Sequence, residues 1–179
     1  MPTRTRDRDG QSVRLGGGGL ADNGGATERP HVEGLVSVLL VEDDPDDVEI
    51  TKRAFHKGKI LNPLYVARDG EQAIEFLQRA RRSGSSTGAA PLGLILLDLN
   101  LPRVDGREVL RFIKNTPGLK RIPVVVLTTS DNEADIRECY DWGANSYMAK
   151  PVDFRKFVDT VVAIGHYWLC LAEISGTRK

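Results

Sequence analysis

Cysteine is scarce in this sequence, with only Cys139 and Cys170, far apart in a chain of 179 residues. Such a pair excludes a disulfide framework, and we expect two buried thiols in a reducing compartment. Histidine is almost as rare: His31, His56 and His166 are too scattered to form a metal-binding set. The chemistry of this protein must therefore come from other residue types.

An excess of charge is also lacking, because 25 Lys and Arg residues balance 25 Asp and Glu residues. This balance gives no general attraction to nucleic acid or to an anionic membrane. The most apolar C-terminal run, 161–174, is interrupted by His166 and Glu173 and is shorter than the about 20 residues of a membrane-spanning helix. No secretory segment follows Met1. We therefore predict a cytoplasmic protein with neither a nucleic-acid nor a membrane partner.

Residues 1–33 lack apolar periodicity and contain an uninterrupted glycine run at 16–19. Their arginines are matched by acidic residues, which argues against a basic binding arm. A segment of this composition cannot bury enough apolar surface to offset its ordering entropy, so we predict a disordered tail.

From residue 36 onward, short apolar runs alternate with amphipathic segments. "VSVLLV", "PLYVA", "LGLILLDL", "IPVVVLTTS" and "NSYMAK" have the character of strands, and the segments between them have apolar residues at helical spacing. A last helix is predicted to begin near Asp153. This alternation is typical of βαβ units, so we predict an α/β fold with a five-stranded parallel sheet.

Polar groups follow four of these five strands. The predicted strand ends carry Glu42 and Asp43, then Asp98, then Thr128, and finally Lys150. The carboxyl ends of parallel strands meet at one edge of a sheet, and this edge is where open α/β sheets bind ligands. We therefore expect the carboxylates, the hydroxyl and the ammonium to converge there.

The stretch "SVLLVEDDPDDVEI" places five acids within six residues after the first strand. Asp44 suits a helix N-cap, and Asp46 and Asp47 favour the positive end of the following helix, so we assign these three to the helix start. Glu42 and Asp43 remain for a cation. Carboxylates crowded together raise one another's pKa unless a cation is present, and oxygen ligands favour Mg²⁺ or Mn²⁺.

Asp98 ends a strand that has no other charge, and such a residue often only caps the next element. An aspartate beside a metal and a lysine can instead attack a phosphoryl group as a nucleophile. Lys150 would then neutralise charge on the transferring oxygens, and the Thr128 hydroxyl would donate a hydrogen bond to them. The agreement of four strand ends favours this second interpretation.

Four segments carry a resemblance to a known family: "VLLVEDDPDD", "LILLDLNLPRVDGREVL", "IPVVVLTTS" and "GANSYMAKPVD". In this order and spacing, residues 35–165 resemble the receiver domain of two-component response regulators. The resemblance implies a flavodoxin-like (βα)5 receiver domain. We place this domain at 34–166, between the tail 1–33 and a C-terminal helix extension at 167–179.

The resemblance also implies functional residues. Asp98 would become an aspartyl phosphate, with a sensor histidine kinase or a histidine phosphotransfer protein as donor. Asp43 would bind Mg²⁺ directly, Glu42 through water, and Asn100 through its backbone carbonyl, with Asp98 completing the metal ligands.

The remaining implied roles belong to the last two strands. Lys150 matches the phosphate-binding lysine of the family, and the 150–151 peptide bond is a candidate cis bond. Thr128 and Tyr147 match the two switch positions, where a hydroxyl and an aromatic ring move together. Thr129 departs from the small residue that is common at its position.

"DLNLPRVDGREVLRFIKNTPGLKRIPVVVLTTSDNEADI" resembles response regulators paired with phytochrome-type sensor kinases. No output domain follows the receiver segment within these 179 residues, so we expect a stand-alone regulator that is not an enzyme for an external substrate. The run "HYWLCLAEI" extends past the usual end of a receiver. It either folds back on its own domain or forms a homodimer patch, and we favour the homodimer.

Two other function classes are possible for an acidic strand edge. An Asp-nucleophile phosphohydrolase typically needs a second Asp two residues after the nucleophile, and here that position is Asn100. A flavodoxin-like cofactor binder would need a loop rich in Ser, Thr and Gly for phosphate, whereas this loop is acidic. The receiver remains the favoured interpretation, with the phosphohydrolase as the alternative.

Overall fold

A computed structural model describes residues 35–83 and 90–171. The predicted tail at 1–33 and the end of the predicted C-terminal extension lie outside the described residues.

Strands and helices alternate along the described chain. The strands are β1 (Ser37–Val41), β2 (Leu64–Ala67), β3 (Leu92–Leu97), β4 (Val124–Thr128) and β5 (Ser146–Ala149). The helices are α1 (Pro45–Lys57), α2 (Gly70–Ser83), α3 (Gly106–Asn115), α4 (Glu133–Asp141) and α5 (Phe154–His166). A π-helical turn, Tyr167–Leu171, continues from α5. The predicted order of elements is confirmed.

All five strands are parallel and lie in one sheet in the order β2-β1-β3-β4-β5. Chain order reverses at β1, which has β2 on one side and β3 on the other. This is the flavodoxin-like strand order, in which a crevice opens where the chain order reverses. The predicted fold class is therefore confirmed.

The core lies on both faces of the sheet, because successive side chains of a strand point to opposite sides. Leu39 and Val41 of β1 pack with buried residues of α2 and α3 on one face. Val38 and Leu40 pack with buried residues of α1 and α5 on the other. Burial on both faces explains why the strands are nearly continuous apolar runs.

Capping side chains fix where four helices begin. Asp44, Asp105, Asn132 and Asp153 each accept a hydrogen bond from a backbone amide in the first turn of α1, α3, α4 and α5, respectively. Pro45 occupies the first turn of α1, where its missing amide hydrogen costs nothing. The predicted capping role of Asp44 is thus confirmed, and the cap sets the direction in which α1 leaves the sheet edge.

The turn after α5 differs in part from expectation. Trp168 and Leu169 are half-buried and pack against the α1–α5 side of the core, whereas Tyr167 is exposed.

Cys139 is buried within α4 as predicted, but Cys170 is exposed, so the expectation of two buried thiols is wrong for Cys170. The Cys170 thiol lies on the solvent side of the π-helical turn.

No helix within the described ranges combines the length and hydrophobicity needed to cross a bilayer.

Candidate functional site

Four polar groups meet at the carboxyl edge of the sheet, as the strand ends predict. Glu42 directly follows β1, Asp98 directly follows β3, Thr128 ends β4 and Lys150 follows β5. Glu42, Asp98 and Thr128 are buried, and the Asp98 residue is only 5% exposed. The backbone amide of Asp98 donates to the carbonyl of Val41 at 3.0 Å, which ties the two acidic strand ends together.

Lys150 is the electrostatic centre of this edge. Its Nζ lies 2.6 Å from Glu42 Oε2, 2.6 Å from Asp98 Oδ2 and 2.8 Å from Asp47 Oδ2. The Lys150 side chain is only 5% exposed, so these ion pairs are poorly screened by solvent. The backbone amide of Lys150 also donates to the carbonyl of Thr128 at 2.7 Å, which fixes where the side chain starts.

Burial and charge act against each other in the ionisation of this cluster. Burial raises the pKa of Glu42 to about 7, although Lys150 opposes the shift by charge and hydrogen bonding. Burial alone would lower the pKa of Lys150, but the charges of Glu42 and Asp98 and its hydrogen bonds to Asp47 and Asp98 outweigh burial and raise it. The ammonium therefore stays charged, while the Glu42 carboxyl is about half protonated near pH 7.

The same edge has a group of ligands suited to a hard cation. Glu42, Asp43 and Asp98 each offer a carboxylate oxygen, and the three oxygens lie within 4.8 Å of one another. Oxygen ligands with no sulfur or imidazole favour Mg²⁺ or Mn²⁺. Asp43 is exposed whereas the other two are buried, so the group opens to solvent on one side. These residues fit a divalent cation.

Asn100, two residues after Asp98, contacts the end of β4 and the residue that follows it. The side-chain amide nitrogen of Asn100, Nδ2, donates to Thr129 Oγ1 at 3.3 Å and lies 3.5 Å from Thr128 Oγ1. Its backbone amide donates to Asp98 Oδ1 at 3.1 Å. Asn100 thus touches both the buried aspartate and the two threonines, a set of contacts that sequence reasoning missed.

Tyr147 reaches the same loop from β5. Its hydroxyl donates to the backbone carbonyl of Ser130 at 2.8 Å, and the residue is half-buried. Ser130 lies two residues after Thr128, and its backbone amide approaches Thr128 Oγ1 at 3.4 Å. Thr128 and Tyr147 thus both contact the backbone of Ser130, the first at its amide and the second at its carbonyl.

A polar network fixes the other side of this loop. The Ser130 hydroxyl donates to Asp135 Oδ2 at 2.6 Å, and Arg107 of α3 contacts Asp135 Oδ1 at 2.7 Å. The Ser130 and Arg107 hydrogen bonds hold the pKa of Asp135 below its ordinary value. Nothing in the linear sequence pairs Arg107 with Asp135, since α3 and α4 approach each other only in the folded chain.

Asp47 corrects one sequence assignment. It lies in the first turn of α1 with Asp46, as predicted from the helix dipole, but its carboxylate also contacts Lys150. No local pattern signals this contact, because Lys150 lies 103 residues further along the chain. The expected cis bond at 150–151 is wrong as well, because the described residues contain no cis peptide bond. An X–Pro bond ordinarily favours trans by about 0.5–1 kcal/mol.

Comparison with known proteins agrees with this geometry. Response regulator Rcp1 of Synechocystis is 43% identical over 132 residues, which is 74% of this chain and 88% of that protein. The crystal structure of the phosphorylated cyanobacterial phytochrome response regulator RcpA superposes with a TM-score of 0.71 at 40% identity, covering 79% of this chain and 99% of that one. The Mn²⁺-bound form of Rcp1 gives a TM-score of 0.70 at 40% identity, with the same coverage of both chains.

The sequence pattern of the response regulator receiver domain matches residues 38–162. This range begins at the second residue of β1, includes every element from α1 to β5, and ends within α5. The matched range contains the buried carboxylates at the sheet edge, the hydroxyl that ends β4 and the lysine after β5. Strand order, strand-end chemistry and sequence likeness all agree, and the chain belongs to the response regulator receiver domain family.

Proposed function

We propose that Asp98 accepts a phosphoryl group from a sensor histidine kinase or a histidine phosphotransfer protein, in a Mg²⁺-dependent reaction. One observation carries this proposal: the buried Asp98 carboxylate lies 2.6 Å from the Lys150 ammonium, beside two further carboxylates able to hold a cation. The Asp98 carboxylate can act as the nucleophile toward phosphorus, and the Lys150 ammonium beside it can stabilise negative charge on the phosphoryl oxygens. The exposed Asp43 leaves the neighbouring cation site open to solvent.

The transfer is a single displacement at phosphorus. An Asp98 carboxylate oxygen forms a bond to the phosphorus of the donor, and the bond from phosphorus to the donor's imidazole nitrogen breaks. The bonding electron pair leaves with that nitrogen, which is neutralised by a proton. Water later attacks the phosphorus, the bond from phosphorus to the Asp98 oxygen breaks, and inorganic phosphate leaves while the carboxylate is regenerated.

Lys150 and Thr128 supply donors for the incoming phosphoryl oxygens. The ammonium already touches the reacting carboxylate, and the buried Thr128 hydroxyl ends the neighbouring strand. The metal would be held by Asp43, Asp98, the Asn100 carbonyl and, through water, Glu42. A divalent cation bound there supplies positive charge that stabilises the charge on the phosphoryl oxygens. The Mn²⁺-bound form of Rcp1 and the phosphorylated form of RcpA support both parts of this proposal.

The signal would leave the site through Thr128 and Tyr147. A hydrogen bond from Thr128 to the phosphoryl group would pull on the loop whose Ser130 carbonyl accepts from Tyr147. Breaking that bond frees the ring to change position, which biases a two-state surface element. The names of Rcp1 and RcpA support a phytochrome-type kinase as the partner of this regulator.

The alternative, an Asp-nucleophile phosphohydrolase, is not favoured. Its acid-base position would fall on Asn100, which has no titratable proton and whose amide is engaged with Thr129. That enzyme class would also have to enclose a metabolite at this edge.

The proposed function is tested with acetyl phosphate as a small donor, followed by the intact mass of the protein. We expect one phosphoryl adduct in the presence of Mg²⁺ and none after chelation, because the donor's charge would then face uncompensated carboxylates. Folding and metal binding are checked separately by circular dichroism and calorimetry. A folded, Mg²⁺-binding protein that forms no adduct with either acetyl phosphate or a phosphorylated kinase would contradict the proposal.

We further propose that the turn after α5 contributes to a homodimer. Tyr167 is 55% exposed at the end of a helix that packs on the core, and large exposed apolar surfaces often mark interfaces. Tyr167→Asp is the suitable variant, since Trp168 and Leu169 pack partly on their own domain. We expect a dimer by sedimentation for the wild type and for Leu61→Asp, an exposed apolar control, but a monomer for Tyr167→Asp. A monomeric wild type at high concentration would exclude the dimer.

A further inference from the structure

We propose that Asp47 is a positioning residue, which holds the Lys150 ammonium in place for phosphoryl transfer to Asp98. The inference rests on the proposed function and adds a residue to it. Asp47 Oδ2 lies 2.8 Å from Lys150 Nζ, and its side chain is 22% exposed against 5% for Lys150. The contact therefore joins the mouth of the site to its buried centre.

The ammonium is saturated by its three neighbours. A lysine ammonium has three N–H donors, and Glu42, Asp47 and Asp98 each place one carboxylate oxygen within 2.8 Å of the nitrogen. Any oxygen of an incoming phosphoryl group must take the place of one of these acceptors. Which acceptor stays decides the direction in which the other two N–H groups point.

Asp47 is the acceptor suited to stay. Asp98 is the reacting group, and Glu42 belongs with Asp43 and Asp98 to the carboxylates that fit a cation. Asp47 is not a member of that group. It therefore contacts Lys150 without being required for bond formation or for the predicted metal.

The start of α1 leaves the Asp47 carboxylate free for this contact. At its position in the first turn, an acidic side chain commonly turns back to the backbone amide of the N-cap residue. Here the Asp44 amide donates to Glu42 Oε1 at 3.2 Å instead, so Asp47 is not needed for capping. The buried Val48 next to it anchors this turn of α1 against the sheet. Asp47 is thus fixed by the helix rather than by the site.

A fixed anchor matters because a lysine side chain is long and flexible. Its point charge does not orient itself as the planar group of an arginine does. Without Asp47, the ammonium keeps its attraction to Glu42 and Asp98, which follow strands of the sheet, but loses the one of its three partners that lies in a helix. We expect the Lys150 donors to be less ordered and phosphoryl transfer to be slower.

The experiment compares Asp47→Ala with Asp46→Ala in the full chain. Asp46 is an exposed acid in the same helical turn, and in the described part of the chain its side chain makes no ion pair. Both variants lose one negative charge at the α1 N-terminus, so their difference reports the Lys150 contact. With acetyl phosphate and Mg²⁺, we expect adduct formation to be about tenfold slower for Asp47→Ala than for Asp46→Ala, the size of one charge-assisted hydrogen bond. Asp47→Asn, which retains an acceptor, should recover part of the rate.

Two further readouts separate positioning from a general structural role. In chelated protein, the side-chain ammonium resonance of Lys150, assigned by its loss in Lys150→Met, should be visible in the wild type and Asp46→Ala but broadened in Asp47→Ala. In the Lys150→Met background, adding Asp47→Ala should change the rate less than about twofold, since coupled residues are not additive.

Each outcome decides the matter. A rate and a resonance equal to those of Asp46→Ala would overturn the role of Asp47 while leaving Asp98 as acceptor. A full tenfold loss that persists in the Lys150→Met background would also overturn it, because Asp47 would then act by another route. A folded wild type that forms no adduct with either acetyl phosphate or a phosphorylated kinase overturns the proposed function, and the inference falls with it.

Discussion

Replacing Asp98 with asparagine is expected to abolish the phosphoryl adduct formed with acetyl phosphate and Mg²⁺. An amide oxygen is a far weaker nucleophile than a carboxylate, while the side-chain volume is unchanged. The buried pocket should therefore remain folded. The charge of Asp98 also helps to raise the pKa of Glu42, so its removal relieves repulsion within the cluster. The loss should consequently be one of chemistry rather than of stability.

Intact mass spectrometry checks this result, with circular dichroism as the test of folding. Asp141→Asn is the matched control, because it makes the same change at an exposed aspartate that ends α4. It should form the adduct at the wild-type rate. An adduct of equal yield on Asp98→Asn would show that another residue accepts the phosphoryl group, and peptide mapping would then locate it.

Replacing Lys150 with methionine is expected to destabilise the chelated protein by about 3–5 kcal/mol at pH 8, the usual cost of leaving buried charges without a partner. The Lys150 side chain is 5% exposed, and those of Glu42 and Asp98 are 3% and 6% exposed. Methionine fills much of the lysine volume, so the loss should reflect charge rather than a cavity.

The effect should depend on pH in a defined direction. The folded-state pKa of Glu42 is raised from 4.5 to about 7, mainly by burial, and Lys150 opposes that rise. For a raised pKa, the contribution to stability is fully present below the unfolded value and is lost as the pH rises through the folded value. Removing Lys150 raises the folded pKa further. The destabilisation should thus be smaller at pH 5, where the Glu42 carboxyl is largely protonated in the variant, and should grow toward pH 8.

Urea unfolding of wild type and Lys150→Met at both pH values in chelator measures this difference. Lys114→Met is the control, since Lys114 is a partly buried lysine whose Nζ donates to the neutral oxygens of Ile122 and Asn145, each at 3.0 Å. Its cost should be the same at pH 5 and pH 8. An equal cost of Lys150→Met at both pH values would mean that the ammonium does not compensate the buried carboxyls.

The sequence was sufficient for the sheet because its apolar runs are buried on both faces and its helices are amphipathic. α1 begins directly after Asp44, the residue predicted as its N-cap, and α3 likewise begins directly after a capping Asp. Parallel strands bring their carboxyl ends to one edge, so Asp98 and Lys150 could be predicted to be neighbours. The structure places them 2.6 Å apart, although 52 residues separate them.

The sequence did not determine the contacts made by side chains with more than one possible partner. Asp47 suits a helix N-terminus by itself, and its contact with Lys150, 103 residues away, depends on how α1 packs against the sheet. Cys170 lies in the π-helical turn that follows α5, where its thiol is exposed, and no apolar spacing indicates that turn.

What the sequence determined by itself was therefore the fold, the family and the set of groups at the sheet edge, since strand periodicity and strand ends are local properties of the chain. Only the tertiary structure decided which carboxylates share the Lys150 ammonium and how the Ser130 loop joins Tyr147 to Arg107. Those contacts depend on distances of a few ångströms between separate elements, and packing sets such distances.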